Sequence, residues 1–174
     1  MCIRDRISPS AAYSWTQPGN YTVTVTATNG CSTVGATRAV TVCQPVVEVI
    51  PQGPIWLLVG ATALYSATYT PPTATQPVTL TWDNGTIGFS AAYSWTQPGA
   101  YTVTVTATSW CGAVSGTLPV QVCQPVEAAA VAGPRWLPLG EVGLYSATYA
   151  PPTATWPVTP TWNNGTVGFS AAYS

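Results

Sequence analysis

The 174-residue chain contains no lysine and no histidine, and its only basic residues are Arg4, Arg6, Arg38 and Arg135. Nucleic-acid binding needs clustered cations to displace counterions, so four scattered arginines exclude it as a partner. Anionic membrane surfaces are excluded on the same ground. Without histidine or lysine the usual general bases and Schiff-base nucleophiles are missing, and no spaced pair of carboxylates recurs. Phosphate-binding loops and zinc-ligand spacings are also absent, so no enzyme activity, catalytic residue or cofactor is expected. No apolar run approaches the roughly 20 residues that span a bilayer, and no segment holds the helical period. The N-terminus has no apolar signal-peptide core.

What the chain does contain is hydroxyl-rich and repetitive. Charged residues make up 5% of it, so solubility has to come from threonine and amide groups. The stretch Gly88 to Thr108, GFSAAYSWTQPGAYTVTVTAT, nearly recurs at Ile7 to Thr28 and begins again at Gly168, with 80 positions between Tyr21 and Tyr101. Within it Tyr101, Val103, Val105 and Ala107 alternate with Thr102, Thr104, Thr106 and Thr108, the period of a strand with one dry and one wet face. Burying each valine on the dry face contributes about 1.5 to 3 kcal/mol.

The opening residues Met1 to Arg6 resemble a translated sequencing adapter, so 1–6 is expected to be a scar, Cys2 with it. Residues 7–43 read as the back half of a first repeat, with SAAYSW as a strand, a Pro-Gly turn, Tyr21 to Thr28 as the next strand, and a turn at Asn29-Gly30. Gln44-Pro45 recurs as Gln124-Pro125, which sets the boundaries of a complete module at 44–123. Its expected strands are Val46 to Ile50, Thr62 to Thr70, Val78 to Trp82, Phe89 to Trp95, Tyr101 to Thr108 and Thr117 to Val122, the spacing of an all-β sandwich. Pro119 has no amide proton and should face away from a neighbouring strand. Residues 124–174 repeat the front half, truncated, with Pro160 where Leu80 stood and Asn163 where Asp83 stood, so that strand should be weaker.

Trp82 to Thr86 (WDNGT), Tyr93 to Trp95, Pro98-Gly99-Ala100-Tyr101 and the VTVTAT strand that follows resemble the polycystic-kidney-disease (PKD) type of repeat. The resemblance implies tandem immunoglobulin-like antiparallel β-sandwich modules of about 80 residues each, found outside cells in secreted or surface bacterial proteins. It makes Trp82 and Trp162 core residues, with Val103 and Val105, and puts Tyr21 and Tyr101 at a tyrosine corner. Some members of that family bind calcium. Here Asp83, Glu48, Glu127 and Glu141 are scattered and not equivalent between copies, so no metal site is expected.

Trp110 and Trp156 fall in predicted loops, and their counterparts Gly30 and Gln76 are not aromatic. They are either ligand-stacking residues or packing against an adjoining module. Trp15, Trp95, Trp56 and Trp136 recur at the repeat period and read as scaffold. Asn20, Asn84 and Asn164 match the glycosylation acceptor pattern, although the last two also suit a turn. Cys31, Cys43, Cys111 and Cys123 repeat with the module, which suggests an oxidising compartment. Pairing within a module would have to cross the last strand, roughly 20 Å, against a limit of roughly 7 Å between Cα atoms. Two readings stay open: an inter-module Cys43 to Cys111 bond, or four free, partly buried thiols.

The expected function is a non-catalytic extracellular spacer or adhesive stalk, secreted or at the cell surface, whose partners are neighbouring repeats of the same chain. The alternative is a carbohydrate-binding accessory array of a secreted glycoside hydrolase or protease. On these readings the outside partner is a polysaccharide or a surface protein.

Overall fold

The computed structural model describes residues 10–174; the suspected scar at 1–6 lies outside them. Every regular element among the described residues is a strand. The middle of the chain forms a two-sheet sandwich. One sheet orders β3 (Glu48–Gln52), β5 (Thr62–Thr70) and β7 (Ser90–Ser94). The other orders β4 (Trp56–Leu58), β9 (Gly112–Cys123), β8 (Gly99–Ser109) and β6 (Thr79–Trp82). All pairings are antiparallel except β4 with β9. The two inner faces supply the core: Val49, Ala63, Tyr65, Ala67 and Ala91 from the first sheet, against Leu80, Trp82, Val103, Val105, Ala107, Val120 and Val122 from the second.

Alternation in the sequence becomes burial because each strand has a sheet on one side and solvent on the other. Trp82 is 1% exposed and still satisfies its indole, which donates to the Gly88 carbonyl at 2.9 Å. Val103 and Val105 are fully buried. Tyr101 is only half-buried, because its ring caps the edge of the core, stacked on Trp95 at 5.1 Å. Its hydroxyl donates to the Gln97 carbonyl at 3.1 Å, and Tyr21 does the same to Gln17 at 2.9 Å. Both tyrosines thus tie the start of their strand to the Pro-Gly turn before it. Gln121 donates its amide to Ile55 at 2.8 Å on the β4 side of β9, so the Pro119 nitrogen, two residues back, also faces away from β8.

On either side of the sandwich stands a partial module. β1 (Gly19–Thr28) and β2 (Thr33–Val42) form an isolated hairpin whose register, Gly19 opposite Val42, matches Gly99 opposite Val122 in β8 and β9. β10 (Ala128–Ala132), β11 (Gly143–Ala150) and β12 (Ser170–Tyr173) form one sheet in the order of β3, β5 and β7.

Several local expectations are corrected. Ser10 to Trp15 form no strand, although the counterparts of Ser10 to Ser14, Ser90–Ser94, form β7 in the middle module, where β5 pairs with them. The last strand of the sandwich starts at Gly112 instead of Thr117, since β8 extends far enough to pair its whole length. β4 was not expected. Residues 157–160 form no strand, and Thr161 makes only a single bridge to Val167. Pro160 lacks an amide there, and no counterpart of β8 lies alongside. Trp162 is therefore half-buried instead of being a core residue, while keeping its 2.8 Å bond to the Gly168 carbonyl.

Candidate functional site

The junction at Cys43 concentrates the chain's unusual residues. β8 and β9 are joined by a tight turn in which Ser109 pairs with Gly112, leaving Trp110 and Cys111 at the tip. Gly112 takes φ 128°, a conformation that favours glycine. The Ser109 hydroxyl steadies the turn, donating to the Gly112 carbonyl and accepting the Cys111 amide, both at 3.3 Å. Cys111 points back to where the chain enters the module and is disulfide-bonded to Cys43, with 6.0 Å between Cα atoms. Cys31 and Cys123 are free thiols, Cys31 exposed and Cys123 half-buried.

A second bracket holds the same junction. The Gln44 amide donates to Thr75 Oγ1 at 2.8 Å, and the Thr75 amide donates back to the Gln44 carbonyl at 2.9 Å. The pattern is rebuilt one module on, where Gln124 donates to Thr155 Oγ1 at 2.7 Å and Thr155 donates to the Gln124 carbonyl at 2.9 Å. Sequence reasoning missed this bracket. Its signal was the joint recurrence of Gln-Pro and Pro-Pro-Thr-Ala-Thr at a constant distance from each other.

Trp110 is 83% exposed and does not pack against the adjoining hairpin. It borders an open groove of about 790 Å³ between the hairpin (Pro18, Asn20, Thr41) and the β5–β6 loop (Thr73, Gln76). Some of the groove's polar groups are engaged within the protein. Asn20 Oδ1 accepts the Thr41 hydroxyl at 3.0 Å, and the Gln76 amide nitrogen donates to the Tyr69 hydroxyl at 3.0 Å. Trp156 stands at the next junction beside Thr155, exposed, with its ring 6.3 Å from Phe169. The two tryptophans are not brought together. Trp15 and Trp95 do sit in aromatic stacks, whereas Trp56 and Trp136 are exposed, the latter 91%. The scaffold reading of that second pair is corrected: β4 is an edge strand with no sheet over Trp56, and Trp136 lies outside any strand.

Elsewhere in the sandwich Tyr93 donates to Asp83 Oδ1, and Asp83 Oδ2 accepts the Thr104 amide at 3.2 Å. Burial first, and the Asp83 carboxylate second, push the Tyr93 phenol well above its ordinary range. Burial also raises Tyr65, whose hydroxyl donates to the Pro54 carbonyl at 2.9 Å. Asn84 and Asn164 fold back on their own turns, each with Oδ1 accepting the amide two residues on at 3.0 Å. Among the described residues no group of three histidine, cysteine, aspartate or glutamate side chains is placed to hold a metal ion.

Against known families, the PKD domain matches residues 4–42. This stretch is similar to a PKD domain. The match begins inside 1–6, and its Tyr21 strand is the one repeated almost letter for letter at Tyr101 in the sandwich. The PKD-type reading and the all-β, antiparallel architecture therefore agree. No curated protein matches the chain. Among solved structures it is similar to a membrane-anchored protein from Corynebacterium diphtheriae at TM-score 0.39 and 15% identity, covering 69% of this chain and 36% of that one. It is also similar to the S-layer protein rSbsC at TM-score 0.35 and 15% identity, covering 90% of this chain and 25% of that one. Likenesses this loose carry no functional argument.

Proposed function

We propose that the chain is a non-catalytic structural spacer of a secreted or surface protein, built from tandem PKD-type modules whose junctions are clamped. The observation that carries this reading is the Cys43–Cys111 disulfide, which ties the end of one repeat to the β8–β9 turn of the next, beside a Gln44–Thr75 bracket that fixes the first residue of the module and is rebuilt at Gln124 and Thr155. A covalent clamp at the junction, with the entering chain fixed to its own module, restricts the angle between modules, which a spacer needs and a flexible linker lacks. The disulfide favours an oxidising, extracellular setting. Neighbouring repeats are then the first partners.

Small-angle scattering of a Cys31→Ser/Cys123→Ser chain tests the clamp. A single extended particle is expected that loosens on reduction of Cys43–Cys111, and a curve unchanged by reduction argues against it. The exposed Trp110 beside its groove supports a second reading, an accessory module that stacks on sugar rings. Affinity electrophoresis through a panel of polysaccharides separates the two. Retardation lost in Trp110→Ala supports the second, and free migration supports the first.

A further inference from the structure

In the middle module both sheets are complete, and the outer face of the β4–β9–β8–β6 sheet carries a pattern of its own. Because Tyr101, Val103, Val105 and Ala107 point into the core, Thr102, Thr104, Thr106 and Thr108 of β8 point out. The register sets Thr79 and Thr81 of β6 beside Thr108 and Thr106, and Ser115 and Thr117 of β9 beside Thr106 and Thr104. Hydroxyl-bearing positions therefore stand about 4.8 Å apart across the strands and about 7 Å apart along them. Thr106 and Ser115 bond their hydroxyls to each other at 2.8 Å. The hydroxyls of Thr79, Thr81, Thr102, Thr104, Thr108 and Thr117 make no hydrogen bond to any described residue, which leaves each free to donate and to accept.

A tryptophan stands at each end of this face. Trp110, at the tip of the β8–β9 turn, overlooks Thr79 and Thr108, and with them and Pro77 and Ser109 it lines a hollow of about 300 Å³ made by the middle module alone. At the other end Leu57 packs on the core beside Val122, which turns Trp56 outward, level with Gln121 and Ala100. Trp56 is 64% exposed. The stretch of β8 from Ala100 to Ser109 separates the two rings by roughly 30 Å. No charge lies between them. The charged residues of 44–123 are Glu48, which belongs to the other sheet, and Asp83, whose carboxylate is held at the rim by Tyr93 and the Thr104 amide.

We propose that this face binds an extended, uncharged polysaccharide laid along β8 and stacked on Trp110 at one end and Trp56 at the other, a site that rests on the sugar-stacking reading of Trp110. A sugar ring offers an apolar C–H face to an indole and hydroxyls around its edge. The threonine hydroxyls donate to or accept from those groups in either direction, and no buried charge has to be desolvated. A protein partner fits less well. Interfaces between proteins gather apolar side chains at their centre, whereas here the centre is hydroxyl-lined and the rings stand at the ends.

The test is affinity electrophoresis of the full-length chain through hydroxyethylcellulose, galactomannan, arabinoxylan and laminarin. At least one of the four is expected to retard it, and Trp110→Ala abolishes the retardation. Trp56→Ala, at the far end of the face, weakens binding severalfold. So does Thr104→Val combined with Thr117→Val, which removes two hydroxyls and keeps two β-branched side chains suited to a strand. Asn20→Ala, in the junction groove, leaves binding unchanged. An intact Cys43–Cys111 bond and an unchanged circular dichroism spectrum establish that the variants are folded. Free migration through all four polysaccharides overturns the sugar-stacking reading and this site together. Retardation that Trp110→Ala abolishes, but that Trp56→Ala and the valine pair leave intact, keeps that reading with the sugar in the junction groove and overturns the site along β8.

Discussion

The phenol of Tyr93 donates to one oxygen of Asp83 while the other oxygen of that carboxylate takes the amide of Thr104. One side chain thus ties β7 in the first sheet to β8 in the second. Because the folded state keeps the Tyr93 proton beyond the ordinary phenol value of 10.0, the unfolded chain ionises first as pH rises. The stabilisation is complete below pH 10.0 and declines above it. Urea midpoints between pH 8 and pH 12 are expected to be flat and then to fall, and Tyr93→Phe should make the alkaline fall shallower. An equal slope in both proteins counts against the linkage.

Asp83→Asn probes the same corner from the acceptor side. The third module already carries the amide, with Tyr173 donating to Asn163 Oδ1, so the geometry tolerates it. The loss of a charged acceptor near the surface is expected to cost about 1 kcal/mol. Chemical denaturation followed by tryptophan fluorescence measures it.

At Gly116 the backbone of β9 lies against β3, with Val49 and Pro51 in the space a Cβ needs. Gly116→Ala is expected to destabilise the sandwich by about 2 to 3 kcal/mol. Gly30, with nothing within 4 Å of an added Cβ, serves as the control, and Gly30→Ala should leave the midpoint nearly unchanged.

Tyr101→Phe removes the hydroxyl bonded to Gln97 while leaving the ring on Trp95. The expected loss is about 1 kcal/mol, seen as a lower urea midpoint with the denaturant slope unchanged.

Cys43 and Cys111 are 68 residues apart in sequence and bracket most of the sandwich. In the chain-entropy account a closed loop of that size stabilises by about 4 kcal/mol. Cys111→Ser is expected to lose up to that amount in thermal or chemical unfolding, and reducing the parent chain should reproduce the loss.

Where an element depends on its own residues, the sequence was legible. Tyr101 to Ala107 alternate, and β8 follows. The Pro-Gly-x-Tyr turn implied a tyrosine corner through family resemblance, and Tyr21 and Tyr101 make that bond. Legibility failed where an element depends on distant ones. Trp56 to Leu58 are three residues without a pattern, and only the parallel edge of β9 makes them a strand. SAAYS is a strand at Ser90–Ser94 and not in the first copy, because the partner decides and not the pentapeptide. The exposure of Trp56 and Trp136 was hidden for a related reason: periodic recurrence shows equivalence between copies and says nothing about which side of an edge a ring takes.

The Cys43–Cys111 bridge also decides what happens when the chain is pulled. Tension entering at Cys43 crosses the sulfur bridge to Cys111 and leaves at Cys123 along β9. Residues 44–110, which hold most of the sandwich, lie outside that path and cannot be drawn out as long as the bridge is intact. The strand that bears the load is already extended, so the module has almost no slack to release. In its oxidised form it behaves as a tether of fixed length, and in its reduced form as a spring that lengthens by unfolding.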